Sequence, residues 1–104
     1  MPSYAFVLKV KPGQEEEYKR RHDEISQEMR DFLTEVGYQN YHIFLHGTDL
    51  IGYFECDDFE RLKRLSAESD VNKRWGEYMG PIMNIELDPE TGFPYLLEEM
   101  FSHP

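Results

Sequence analysis

The apolar positions change period several times along the chain. Residues 4–10, Tyr-Ala-Phe-Val-Leu-Lys-Val, are rich in strand formers and run into Pro12-Gly13, a stop and turn signal. From about Gln14 to Val36 the period becomes helical. Tyr18, Ile25, Met29, Phe32, Leu33 and Val36 fall on one stripe, acidic residues lead the first turn, and Gly37 supplies a stop. Alternation returns at Tyr41, Ile43 and Leu45, and Gly47-Thr48-Asp49 forms a hairpin turn into a partner strand over 50–56. Asp57 or Asp58 caps a second helix running to about Ala67, with Phe59, Leu62 and Leu65 on its inner face. A shorter helix begins near Asp70, carries Trp75 and Met79, and ends at Gly80-Pro81. Residues 88–92 read as a loop, and 95–101 as a final strand or a short helix.

The order β-α-β-β-α-β predicts a ferredoxin-like α+β sandwich. Helices cover one face of such a sheet, so the other needs a partner. By fold analogy two sheets pair into a dimeric α+β barrel. No repeat, low-complexity segment or linker divides the 104 residues, so one domain spanning 1–104 is expected.

Charge narrows the partners. Twenty-one acidic against eleven basic side chains leave a net charge of -10, the opposite of what binding to nucleic acid or an anionic membrane by charge requires. A neutral ligand stays compatible with it. No apolar run approaches the roughly 20 residues of a membrane span. Cys56 is the single cysteine, which excludes an intrachain disulfide and fits a reducing compartment. No secretory signal is visible, and the expectation is a cytoplasmic protein.

Candidate chemistry concentrates in Tyr18-Lys19-Arg20-Arg21-His22. Tyr18 and His22 are four positions apart, which places them on one helical face. His22 also continues the apolar stripe, so it either finds a hydrogen-bond partner in the core or lines a cavity. Taken alone, the pair is better explained as a satisfied core histidine and an ordinary core tyrosine. Tyr41 is a third polar group on a core-facing strand position, and Arg21 stands beside the same face. Trp75, the single tryptophan, either packs helix on sheet or offers an aromatic wall to the C–H face of a sugar. His42 and His46 do not make a metal pair, because four residues along a strand span ~13 Å. No phosphate-binding loop, dinucleotide fingerprint or nucleophile elbow is present.

Several segments together give a more specific reading: Ala5-Phe6-Val7, Glu16-Glu17-Tyr18, Arg20-Arg21-His22, Asn40-Tyr41 with Ile43, Ser69-Asp70-Val71, Arg74-Trp75 and Tyr78-Met79. In this order and spacing the chain resembles the L-rhamnose mutarotase family over nearly its full length. The resemblance implies a homodimeric α+β barrel that needs no cofactor and acts on a monosaccharide. It implies His22 as general acid, Tyr18 and Tyr41 as substrate-binding tyrosines, and Trp75 as the first of an aromatic pair against the sugar. The second position of that pair, commonly tryptophan in related bacterial enzymes, is Gly76 here. That departure removes part of the pocket wall and puts the preferred sugar in question: L-rhamnose first, then L-fucose or another 6-deoxy sugar. The segment before Glu98-Glu99 matches poorly and carries no site residue. A cofactor-independent monooxygenase and a non-enzymatic ligand-binding module are the competing readings for such a fold.

Overall fold

The computed structural model describes residues 1–104. Three strands, β1 (Ser3–Lys9), β2 (Gln39–His46) and β3 (Asp49–Glu55), form an antiparallel sheet in the order β1-β3-β2. Four helices, α1 (Glu15–Asp23), α2 (Gln27–Val36), α3 (Phe59–Glu68) and α4 (Asp70–Met79), are followed by a 3₁₀ turn at Gly80–Ile82.

The outer edge of β1 has partners too. Lys11 N–H donates to the Ile82 carbonyl and Asn84 N–H to that of Lys9, both at 2.9 Å. Further along the same edge, Val7 N–H donates to the Tyr95 carbonyl at 3.2 Å and Leu97 N–H to that of Ala5 at 2.7 Å. The segments 82–84 and 95–97 therefore occupy the place of a fourth strand, antiparallel to β1. The chain between them leaves the sheet. Its turn is closed by Gly92 N–H on the Asp88 carbonyl at 2.8 Å, with Gly92 at φ 69°, and it returns Phe93 to the core. The end of the chain is thus extended where it meets β1, which excludes the short-helix alternative for Tyr95–Leu97. Backbone bonding to an otherwise open edge explains the choice.

The expected first helix is two. Its apolar stripe is continuous, but Ser26 adopts an extended conformation (φ -69°, ψ 155°) and its hydroxyl accepts the Met29 N–H at 3.1 Å, starting α2 anew. Gly37 ends α2 in the left-handed region, φ 108°. Asp58, not Asp57, caps α3, and Ser69 caps α4 through the Asn72 N–H at 3.1 Å.

Alternation along β1 and β3 sends Phe6, Val10, Leu50, Phe54 and Cys56 under the helices, all buried. Phe6 lies across Gly52, its partner on β3, where a Cβ would collide with the ring. The core falls into two clusters. One is built on Phe6, Met29, Phe32, Phe54 and Leu62, the other on Val10, Tyr18, Leu50, Met79 and Ile82, and Leu8 and Trp75 pack against both.

Candidate active site

A cavity of about 330 Å³ opens at the seam between those clusters. Tyr18, His22, Tyr41, Trp75 and Gly76, the five positions singled out in the sequence, all line it. They come from three elements. Helix α1 supplies Tyr18 and His22, β2 supplies Tyr41, and α4 supplies Trp75 and Gly76.

His22 sits among aromatic rings. It stacks on Tyr18 with centroids 4.2 Å apart at 28°, and meets Trp75 edge to face at 5.1 Å and 88°. Its Nδ1 lies 3.0 Å from the Tyr18 carbonyl oxygen. That oxygen can only accept, so Nδ1 carries the proton and donates. In the neutral ring Nε2 is then left with a lone pair. Burial lowers the His22 pKa below its ordinary 6.5, while the Tyr18 carbonyl and Asp23 pull it back up. Burial also pushes the phenols of Tyr18 and Tyr41 well above their usual range. Both remain neutral hydroxyls that can donate and accept.

Tyr41 owes its position to an irregularity in β2. The pairing with β3 shifts by one residue between Gln39 and His42, and Asn40 takes a left-handed φ of 48°. The Asn40 side-chain amide donates to Glu55 Oε1 at 3.0 Å, which anchors the bulge. Beyond it Tyr41 stacks on Tyr38 at 4.8 Å and meets Phe6 edge-on at 6.2 Å.

Arg21 is oriented away from the cavity lining. Its Nε donates to Glu17 Oε2 at 2.7 Å and its Nη1 to the Tyr78 carbonyl at 2.6 Å, with the guanidinium 4.3 Å from the Tyr78 ring centroid. It fastens α1 to the last turn of α4, a positioning contact. Glu17 also accepts from Arg20, and these hydrogen bonds hold its carboxyl down at about 2. His42 and His46 lie on β2, outside the cavity lining.

Gly76 has an ordinary helical setting, and a Cβ built there meets nothing within 4 Å. Neither backbone strain nor packing demands glycine, which costs a helix interior about 1 kcal/mol relative to alanine.

The cavity also contains residues the sequence reading did not single out. Asn72 precedes Gly76 by one helical turn, so extending the Trp75–Gly76 face backward along α4 would have found it. Ser66 and Lys63 enter from α3, and Tyr38 from the chain before β2. The excursion from the fourth-strand position adds Leu87, Thr91 and Phe93. No local pattern marks these, because their place depends on contacts distant in sequence.

The sequence and the fold have counterparts among known proteins. A sequence model described as L-rhamnose mutarotase matches residues 3–103. The L-rhamnose mutarotase of Oceanobacillus iheyensis is 37% identical over 90 residues, covering 85% of this chain and 86% of that protein. That of Tolumonas auensis is 43% identical over 81 residues, covering 76% and 77%. The crystal structure of an L-rhamnose mutarotase from Formosa agariphila superposes over 100% of both chains with a TM-score of 0.81 and 26% identity. Tetracenomycin F2 cyclase from Streptomyces glaucescens, at 16% identity and a TM-score of 0.72 over 100% and 98% of the chains, shares the fold alone. With the family pattern matched almost end to end and its fold reproduced, the chain belongs to the L-rhamnose mutarotase family.

Proposed function

We propose that this chain interconverts the α and β anomers of L-rhamnose by opening and reclosing the pyranose ring, with His22 as the proton-transfer group. The observation carrying this reading is the His22 ring itself, held by Tyr18 and Trp75 in the cavity with Nδ1–H committed to a backbone carbonyl. Only Nε2 is then left to exchange protons with a bound sugar.

Ring opening removes a proton from the anomeric hydroxyl and delivers one to the ring oxygen. As the C1–O5 bond breaks, the anomeric C–O bond becomes a carbonyl. Neutral His22 accepts the first proton at Nε2, and the imidazolium so formed is the general acid that protonates the ring oxygen. The proton count closes without a second catalytic group. Rotation about C1–C2 exposes the other aldehyde face, and the steps reverse. Tyr18 and Tyr41, kept neutral by burial, orient sugar hydroxyls, and Trp75 packs on the C–H face. General acid–base catalysis of this kind typically contributes ~10²–10⁴-fold, enough for a reaction that already proceeds slowly in water.

This makes the protein an isomerase of the aldose 1-epimerase type, serving rhamnose metabolism in the cytoplasm as one domain over residues 1–104. It works without nucleic acid or membrane, as the net charge of -10 favours. It acts as a homodimer, with the uncovered sheet face as the contact. Phe44 on that face is 61% exposed, and the extended tail presents Met100 and Phe101 at 85% and 84%.

The test is saturation-difference NMR on equilibrated L-rhamnose, with L-fucose and D-glucose alongside. Irradiating one anomeric proton of L-rhamnose should attenuate the other in the presence of the protein. His22→Asn should retain sugar binding and lose at least ~10²-fold in exchange rate. Near-normal exchange by this variant would remove His22 from the mechanism.

A further inference from the structure

Gly76 is an anomaly in α4. A glycine inside a helix is destabilising relative to alanine, and glycine is justified where φ is positive or where a Cβ would clash. Neither condition holds here: α4 is regular through Gly76, and the Cβ position is clear to 4 Å. The residue is exposed, yet it lines the cavity that holds His22. The missing side chain therefore leaves a breach through which the cavity reaches solvent.

A second observation concerns the same cavity. The Ser66 hydroxyl oxygen is buried and meets no hydrogen-bond partner in the chain. Asn72, one turn before Gly76 on α4, donates its amide N–H to the Ser66 carbonyl at 3.2 Å, which ties the two residues together. Both line the cavity. The Ser66 hydroxyl is sealed from the cavity, so of the two it is the Asn72 side chain that meets a ligand. At about 330 Å³ the cavity is at the small end of ligand sites, so a second sugar unit has to extend beyond it. A longer saccharide would use the breach, with the Asn72 side chain one turn away on the same helix.

We infer that the site takes saccharides whose reducing end is L-rhamnose, with a further sugar attached through the O3 or O4 hydroxyl passing out beside Gly76, where the Asn72 side chain offers it a hydrogen bond. Mutarotation requires only a free anomeric centre, so the chemistry at His22 is unchanged by a substituent elsewhere on the ring. The inference rests on the mutarotase reading above.

The experiment measures anomer exchange by NMR for L-rhamnose and for two disaccharides with free reducing-end L-rhamnose, joined through O3 and O4. The native protein, Gly76→Ala and Gly76→Trp are compared, with circular dichroism confirming folding. At least one disaccharide should be exchanged by the native protein with kcat/KM within about tenfold of L-rhamnose. Gly76→Trp should lower the disaccharide-to-rhamnose ratio at least tenfold, and Gly76→Ala, which favours the helix and adds one methyl, should lower it less. Exchange of L-rhamnose with neither disaccharide accepted would overturn the inference and leave the mutarotase reading standing. A ratio unmoved by Gly76→Trp would overturn the role of the breach. No exchange of any of the three sugars by folded native protein would remove the mutarotase reading and this inference with it.

Discussion

The Tyr18 carbonyl decides which nitrogen of His22 can work. Because it accepts from Nδ1–H at 3.0 Å, the neutral ring offers a base at Nε2, and burial keeps the ring neutral to a pH below its ordinary 6.5. The sign of the pH dependence follows. If neutral His22 begins the reaction, kcat/KM for L-rhamnose rises with pH through a midpoint below 6.5 and is flat above neutrality. If an imidazolium present beforehand were required, the rate would fall across the same interval. Initial exchange rates between pH 4.5 and 8 separate the two, and a falling profile would reverse the proposed order of proton transfers. The same shift bears on stability. A histidine whose folded pKa is depressed binds more protons unfolded, so its stabilising share is lost as pH falls from 6.5 toward the folded pKa. Rates are therefore compared only where near-UV circular dichroism shows the native fold.

At the scale of elements, the site depends on α1 and α4 keeping their distance, since His22 on one meets Trp75 on the other. Arg21 supplies the link. The carbonyl of Tyr78 is one of the last four of α4, which have no partner inside the helix, and the Arg21 guanidinium both satisfies it and lies over the Tyr78 ring. Arg21→Met should lower stability to urea by about 1.5–3 kcal/mol, the range for a hydrogen bond from a charged group, and raise KM for L-rhamnose. Arg21→Lys should recover little of either, because one ammonium lacks the planar fork that reaches Glu17 and Tyr78 together. Unchanged stability and KM in Arg21→Met would show that α1 and α4 are held by packing alone. Elements of this kind differ in how readable they are. The stripe Tyr18–Val36 and the alternation at Tyr41–Leu45 announce buried faces, and Gly37 and the Asp57-Asp58 pair announce helix ends. The break at Ser26 is hidden because Ile25 keeps the apolar period across it. The excursion between the two halves of the fourth strand is hidden because Phe93 finds its place against Phe6, Phe54 and Phe59, all distant in sequence. The five site positions share the same division. His22 and Tyr18 read as one helical face, Tyr41 as a core-facing polar group and Trp75 as an aromatic wall, whereas Gly76 enters through the family pattern alone and Ser66 gives no signal at all.

At the scale of the whole molecule, the helices cover one side of the sheet and leave the other to solvent. On that side Val7, Ile51 and Tyr53 are half-buried within the single chain, and Phe44 is 61% exposed. An apolar stripe across three strands is what a second sheet would cover, and a stable pairing needs roughly 1,200–2,000 Å² of buried surface. A charge in the middle of such a contact would be buried without a partner, at a cost of several kcal/mol. Val7 is the better place for it than Phe44, because β1 carries pairing on both edges whereas β2 lies at the end of the sheet. Sedimentation velocity of the native protein should give the mass of two chains, and Val7→Asp should shift it to one. Because the cavity is on the helix side, a folded Val7→Asp monomer should still bind L-rhamnose, as read by saturation-transfer NMR. A native protein that sediments as a single chain at tens of micromolar would sink the dimer proposal. A monomeric variant that folds but no longer binds sugar would instead mean that the partner subunit completes the site.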